Sequence, residues 1–175
     1  MQAISWIARI TGWGLLTAFQ VLVLTQLDIR WFIQPYVFGM FIMILPFKTP
    51  QSLVLILAFI AGLVIDMFNN TPGMHAAATV AMAFFRPAVI KMLTPITGYE
   101  GVDAPSLFKL GFIWFLLFTL IMLGIHHIIY FFLEVLTFKN ISYTLLKVGA
   151  SLLVSAFLVL NFAFIFSNRA KGDRT

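Results

Sequence analysis

Six apolar segments, separated by short polar breaks, follow one another along the chain. They cover approximately residues 10–27, 31–47, 52–68, 72–93, 107–136 and 144–167. A helix needs about 20 consecutive apolar residues to cross the hydrocarbon core of a bilayer, and these segments have such lengths. The pattern therefore predicts an all-α integral membrane protein, with six transmembrane helices in a single domain over residues 1–175. A re-entrant second segment is the alternative to six full spans.

The polar breaks carry residues that favour turns and helix ends. Between the third and fourth segments, Thr71 is a predicted N-cap and Pro72 the predicted first residue of the next helix. These two segments should therefore form a tight helical hairpin. The fifth segment has 30 residues, a helix of about 45 Å, so it must tilt, kink or project from the bilayer. We expect His126, His127 and Glu134, at its far end, to meet water at the outer interface.

The composition excludes a soluble globular protein. Hydrophobic residues make up 62% of the chain and charged residues 10%, whereas soluble domains carry about 25% charged residues. The net charge of +5 describes loop orientation in such a chain, and nucleic-acid binding is not expected. The absence of cysteine excludes disulfides, thiol nucleophiles and cysteine metal sites.

The distribution of Lys and Arg predicts the orientation. If the N-terminus is cytoplasmic, eight of the 11 basic residues lie on the cytoplasmic side: Arg9, Lys48, Arg86, Lys91, Lys109, Arg169, Lys171 and Arg174. The opposite side then holds Arg30, Lys139 and Lys147. Because short cytoplasmic loops carry the excess of positive charge, both termini should be cytoplasmic.

Small residues recur at four-residue spacing in four of the segments. These sets are Gly14 and Ala18, Ala58 and Gly62, Gly73 with Ala77 and Ala81, and Ser151 and Ser155. Residues four apart share one face of a helix, and small residues let membrane helices approach closely. Two interpretations are open: packing inside the bundle, or an outward face that docks a partner's membrane helix, for which Gly14 and Ala18 are candidates.

Asp66 is the most informative single residue, because a carboxylate inside a span faces protein or a water-filled cavity. It continues the stripe that contains Gly62. His75 lies at a similar depth beyond the turn and is a candidate hydrogen-bond partner, whereas Arg86 lies roughly 20 Å from the turn and is expected to snorkel to the interface. Asp66 either fixes the packing of the helices and the turn or binds a proton or an ion.

Catalytic and cofactor-binding motifs are absent from the sequence. There is no Walker A sequence, no Gly-x-Ser-x-Gly elbow and no His-Glu-x-x-His, so we expect neither an enzyme nor a cofactor. A metal site is not expected, because the adjacent His126 and His127 point about 100° apart on a helix. Tyr99, Glu100 and Asp103, in the long loop at residues 94–106, form either a solvated connection or a docking site for a cytoplasmic partner.

The third and fourth segments resemble the MreD family, the bacterial rod shape-determining membrane proteins. The run AGLVIDMF at residues 61–68, followed by TPGMH at residues 71–75, is similar to the Gly-containing, Asp-ending motif and Pro-Gly turn of that family. Residues 34–36, Gln-Pro-Tyr, also resemble its second span. Gly62, Asp66 and Gly73 carry over as family positions. Pro72 directly before Gly73 departs from the Pro-Leu-Gly of many members.

The resemblance implies a non-enzymatic scaffold of the cell-elongation machinery in the bacterial inner membrane. Such a protein binds the periplasmic coiled-coil protein MreC and helps to connect MreB to peptidoglycan synthesis by a SEDS glycosyltransferase and a penicillin-binding transpeptidase. The implied fold is similar to the substrate-binding subunit of energy-coupling-factor vitamin transporters. A small-molecule-binding transporter subunit is therefore the alternative, and it requires convergent polar groups at the outer end of the bundle.

Overall fold

The computed structural model describes residues 2–25, 32–136 and 140–172, and these residues form helices without any strand. The helices are α1 (Gln2–Phe19), which continues as a π-helical turn (Gln20–Leu24), α2 (Met40–Met43), α3 (Gln51–Asn69), α4 (Met74–Met92), α5 (Leu107–Leu110), α6 (Phe112–Val135) and α7 (Ile141–Gly172). Helix α4 packs against both α3 and α6, and α6 packs against α7. The fold is all-α, as the hydrophobic pattern predicts.

Three helices are long and apolar enough to cross a membrane. They cover Gln51–Asn69, Phe112–Val135 and Ile141–Ile165, with mean hydropathies of 2.2, 2.2 and 2.3. Only 33 to 44% of the most apolar stretch of each helix is buried inside the protein, so many apolar side chains lie on the outer faces of these helices. Such faces need lipid as their solvent, and the chain is therefore a membrane protein.

The second apolar segment differs from its prediction as a helical span. Of residues 32–47, which we name the crossing segment, only Met40–Met43 are helical. Pro35 and Pro46 cannot donate a backbone hydrogen bond, which disfavours a continuous helix. The segment is nevertheless deeply buried, because Val37, Phe38, Ile42 and Met43 have no exposed surface.

The crossing segment passes from one end of the bundle to the other. At the end that holds the turn at residues 70–73, the hairpin end, the ring of Tyr36 lies 4.9 Å from that of His75. At the end that holds residues 94–106, the loop end, the ring of Phe47 lies 4.7 Å from that of Tyr99. Helix α4, with 19 residues and a length of about 28 Å, separates these two ends. The segment is thus not a helical span, and its two ends contact opposite ends of the bundle.

Side chains from distant helices bind the backbone of the crossing segment near the hairpin end. The Gln20 side chain donates a hydrogen bond to the carbonyl oxygen of Pro35 at 3.0 Å and accepts one from the Val37 amide at 2.9 Å. On α7, Ser151 accepts from the amide of residue 34 at 3.0 Å, and Ser155 accepts from that of residue 36 at 2.8 Å. Backbone without regular structure is tolerated at membrane depth only where protein satisfies its polar groups in this way.

Arg86 binds the crossing segment nearer the loop end. Its guanidinium donates hydrogen bonds to the carbonyl oxygens of Met43, at 3.4 Å, and of Leu45. Only 2% of Arg86 is exposed, so the prediction that this side chain snorkels to the interface is wrong. The irregular backbone of the crossing segment leaves carbonyl oxygens free to accept from Arg86 inside the bundle. In a regular helical span these carbonyls would be bound within the helix.

Helices α3 and α4 form the predicted hairpin, but α4 begins two residues later than predicted. Asn70 and Gly73 both adopt left-handed conformations, with φ of 53° and 81°, and Gly73 is the N-cap. The Thr71 hydroxyl does not cap the helix, because it lies 2.8 Å from a carboxylate oxygen of Asp66 and 2.9 Å from the ring of His75. Two left-handed residues around Thr71 and Pro72 let the chain reverse tightly.

The 30-residue fifth segment is broken near its start. Gly111, with φ of 87°, separates the short helix α5 from α6. Helix α6 then has 24 residues and a length of about 36 Å. The sequence predicted that this long segment must tilt, kink or project from the bilayer. The break at Gly111 instead shortens the helix, so that its length is closer to the thickness of a bilayer.

Candidate functional site

Gly62 holds α3 and α4 at their closest approach. A Cβ atom added at this position would lie 2.6 Å from both the Ala76 nitrogen and the His75 carbonyl oxygen. Ala58, one turn earlier, is completely buried. The small-residue stripe of α3 therefore packs inside the bundle, and even a methyl group at residue 62 would push two backbones apart.

Asp66, one turn beyond Gly62, caps the following helix. Its two carboxylate oxygens accept hydrogen bonds from the backbone amides of His75 and Ala76, each at 2.9 Å. These amides belong to the first turn of α4, where no carbonyl of the helix itself can bind them. The negative charge also lies at the positive end of the α4 dipole. The carboxylate thus closes the hairpin by binding the start of the neighbouring helix.

The structure brings Asp66 and His75 together, as the sequence suggested. Nδ1 of His75 lies 3.0 Å from Oδ1 of Asp66, and the Thr71 hydroxyl donates to the same oxygen. Both side chains are almost fully buried. With two backbone amides, one hydroxyl and one imidazole around it, the carboxylate is satisfied without a metal ion.

His75 belongs to a buried group of rings that the sequence did not reveal. The histidine–tyrosine cluster consists of Tyr36, His75, His126, His127 and Tyr130, each less than 5% exposed. Tyr36 lies at its centre, with its ring 5.1 Å from Tyr130 and 5.5 Å from both His126 and His127. The rings come from the crossing segment, α4 and α6, so the cluster joins three parts of the chain.

His126 and His127 lie inside the bundle, and the prediction that they meet water at the interface is wrong. His127 is held at both ring nitrogens, since Nδ1 lies 2.7 Å from the Leu123 carbonyl oxygen and Nε2 lies 3.1 Å from the Ser155 hydroxyl. Neither ring nitrogen of His126 has a hydrogen-bond partner within the described residues, nor has Nε2 of His75. His126 and His127 both face the bundle because α6 is covered on two sides, by α4 and α7.

Glu134 binds Lys147 of α7, a pair that the sequence analysis missed. The Lys147 Nζ lies 2.7 Å from a carboxylate oxygen of Glu134 and 4.8 Å from the centre of the Phe131 ring. The Lys147 side chain is 10% exposed and that of Glu134 is 28% exposed. The pair lies near the far end of α6 and is more open to the exterior than the histidines.

Two candidate partner surfaces remain outside this site. Gly14 and Ala18 are exposed on α1, and nothing lies within 4 Å of a Cβ placed at Gly14. Glu100 and Asp103 are exposed at the loop end. Tyr99 instead packs inward, and its hydroxyl donates to the Ile90 carbonyl oxygen at 2.7 Å.

The small-residue stripe on α4 does not pack against α3. Gly73 and Ala77 are exposed, and so is Pro72 before them. The contact with Gly62 is made by Ala76. The inward face of α4 is thus rotated by about 100° from the predicted stripe, because Asp66 binds the amides of residues 75 and 76.

In residues 2–25, 32–136 and 140–172, no three His, Asp or Glu side chains are arranged to hold a metal ion. A cavity of about 240 Å³ lies near the loop end, away from the cluster, and is lined by Met40, Ile44, Pro105, Ser106, Leu107, Phe115 and Ala163. This lining is almost entirely apolar, without the convergent polar groups that orient a small polar ligand.

Comparisons with family models, with curated proteins and with solved structures each found no match to this chain.

Proposed function

We propose that the protein is a non-enzymatic scaffold of the MreD type in the bacterial inner membrane. The observation that supports this proposal most is the use of Gly62 and Asp66, which are the positions of the family resemblance. Gly62 permits the close approach of α3 to α4, and Asp66 binds the first turn of α4. Both side chains thus serve the architecture of the hairpin, as in a protein that acts by holding a shape rather than by turning over a substrate.

In this proposal the chain passes the membrane six times, with both termini in the cytoplasm. Five passes are helices α1, α3, α4, α6 and α7, and the sixth is the crossing segment. The hairpin end then faces the periplasm and the loop end faces the cytoplasm, in agreement with the excess of Lys and Arg on the loop side. Reporters fused at the C-terminus and within residues 94–106 should be cytoplasmic, and one in the turn at residues 69–70 should be external. An external reporter within residues 94–106 would overturn this topology.

The proposed partners are an MreC-like protein at α1 and the MreB cytoskeleton at the loop end. The α1 face with Gly14 and Ala18 is open, so a membrane helix can approach its backbone closely. Glu100 and Asp103 give the loop end an exposed acidic surface for a cytoplasmic partner. Through these contacts the protein would link the cytoskeleton to the SEDS glycosyltransferase and the penicillin-binding transpeptidase.

Co-purification from native membranes tests the scaffold proposal. We expect the unmodified chain to retain an MreC-like protein, and Gly14→Leu to lose it because the larger side chain keeps the partner helix away. Gly12→Leu is the matched control, since a Cβ at this glycine is also free of contacts but points to another side of α1. Retention by Gly14→Leu, with normal cell shape, would remove α1 as the docking face.

The same purification distinguishes the scaffold proposal from the transporter alternative. A vitamin-binding subunit would be recovered with an ATPase module and would retain a small molecule. Recovery of those partners, with no cell-wall protein, would contradict the scaffold proposal.

A further inference from the structure

Two buried histidines next to one another have ring nitrogens without a partner. In the part of the chain that the structure describes, Nε2 of His75 and both nitrogens of His126 are buried and make no hydrogen bond. The exposed fractions are 0% for His75 and 1% for His126. A neutral imidazole always carries one donor and one acceptor, so these nitrogens have hydrogen-bonding capacity that no group of the described residues uses.

Native proteins seldom leave such groups unsatisfied, and an internal water molecule is the usual partner. The centres of the His75 and His126 rings are 6.3 Å apart. Two hydrogen bonds of about 2.9 Å that meet at one bent water molecule join nitrogens about 4.5 Å apart, and the ring nitrogens can be this close because they lie on the rims of rings whose centres are further apart. The Tyr36 ring lies within 5.5 Å of both histidine rings, measured between centres, and packs against both.

His75 is also joined to the surface on its other side. Its Nδ1 lies 3.0 Å from the Asp66 carboxylate, and that carboxylate accepts from the Thr71 hydroxyl at 2.8 Å. Thr71 is half-buried in the turn at the hairpin end. A line of polar groups therefore leads from the exterior through Thr71 and Asp66 to His75, and it ends at His126.

We propose that His75 and His126 hold an internal water molecule, and that this hydrated pair binds one proton that enters from the hairpin end. The proton comes from the aqueous phase and converts the His75 imidazole to an imidazolium, in which both ring nitrogens carry hydrogen. Nδ1–H then donates to the Asp66 carboxylate, and Nε2–H donates to the water, which donates onward to His126. No electron is transferred, and the release of the proton reverses the same step.

Charge balance favours His75 as the resting place of the proton. With a neutral His75, the Asp66 carboxylate is a buried negative charge, whereas the imidazolium turns the pair into a neutral ion pair. The titratable groups that face the pair are Tyr36 on the crossing segment, Asp66 on α3, and His127, Tyr130 and Glu134 on α6. Glu134 is itself paired with Lys147 on α7. The nearest carboxylate to His75 is Asp66, which contacts it directly.

The test uses the full chain in lipid nanodiscs with 15N-labelled histidine. The sequence contains three histidines, so single substitutions assign every ring signal. We expect magnetisation transfer from water to the rings of His75 and His126. His127 is the internal control without such transfer, because Leu123 and Ser155 occupy both of its nitrogens. Absence of transfer to His75 and His126 in the unmodified chain would overturn the water site.

Acidification from about pH 8 to about pH 5 should then give the imidazolium signal of His75. His126→Leu should abolish the water contact of His75 and require about tenfold more protons for the same fraction of imidazolium, because Nε2–H loses its acceptor. Met122→Leu, one turn earlier in the buried face of α6, is the matched control and should change neither. A His75 ring that stays neutral over the whole range, or a His126→Leu variant that titrates as the unmodified chain does, would contradict proton binding by the pair.

Discussion

The α3–α4 hairpin and the crossing segment lie side by side in the bundle, yet their backbone amides and carbonyls find hydrogen-bond partners in different ways. In the hairpin, regular helices bind their own amides and carbonyls, and Asp66 supplies the missing acceptors at the start of α4. In the crossing segment, backbone groups bind Gln20, Ser151, Ser155 and Arg86 from other parts of the chain. An apolar run therefore predicts burial, whereas its conformation depends on which neighbours can accept and donate hydrogen bonds.

The largest effect should follow from filling the contact at Gly62. Gly62→Ala places a methyl group against the backbone of His75 and Ala76, which cannot rotate away, so the free energy of unfolding should fall by about 3 kcal/mol. The measurement is the unfolding midpoint of the purified chain in mixed detergent micelles. Gly124→Ala is the matched control, because the nearest atom to its Cβ is the end of the Leu152 side chain at 4.0 Å. A Gly62→Ala variant as stable as Gly124→Ala would show that α3 and α4 are not in this close contact.

The second largest effect should follow from removal of the Gln20 amide. Gln20→Leu leaves the Pro35 carbonyl and the Val37 amide unsatisfied, and should destabilise the chain by about 2–3 kcal/mol. Gln51→Leu is the matched substitution in the hairpin, where the Gln51 amide binds only the Ala83 carbonyl, which Pro87 leaves free. It should cost about half as much. Equal effects of the two substitutions in an unfolding titration would contradict the greater dependence of the crossing segment on side chains.

A smaller effect is expected from Asp66→Asn, which keeps the shape of the side chain. The amide retains one acceptor oxygen, but its NH₂ group faces a backbone amide and the charge at the start of α4 is lost. The unfolding free energy should fall by about 1–2 kcal/mol, less than for Gly62→Ala. Asp103→Asn, with an exposed side chain at the loop end, is the control and should change it by less than about 0.5 kcal/mol. An unfolding free energy that Asp66→Asn leaves unchanged would contradict the capping role of Asp66.

The hairpin could be predicted from the sequence because its determinants are local. Small residues at four-residue spacing, a carboxylate one turn further and a short polar break all lie within 20 residues, so their neighbours follow from helix geometry. The pairing of Asp66 with His75 is a consequence of this short turn.

The crossing segment could not be predicted because its partners are distant in the chain. The serines that bind its amides lie 117 and 119 residues away, and the hydrophobicity of residues 31–47 is that of a span. The buried positions of His126 and His127 were missed for a related reason. Helical periodicity places them on α6, but only the packing of α4 and α7 around that helix decides that both face inward.

The conformation of the crossing segment within the membrane can be measured directly. Selective labelling of tyrosine and valine gives the backbone ¹³C chemical shifts of Tyr36 and Val37, with Val54 in α3 as the helical reference, by NMR in lipid bilayers. The irregular crossing segment predicts non-helical shifts for Tyr36 and Val37, and Ser155→Ala should alter them because Ser155 binds the Tyr36 amide. Helical shifts at both residues, unchanged by Ser155→Ala, would contradict a crossing segment held by side chains.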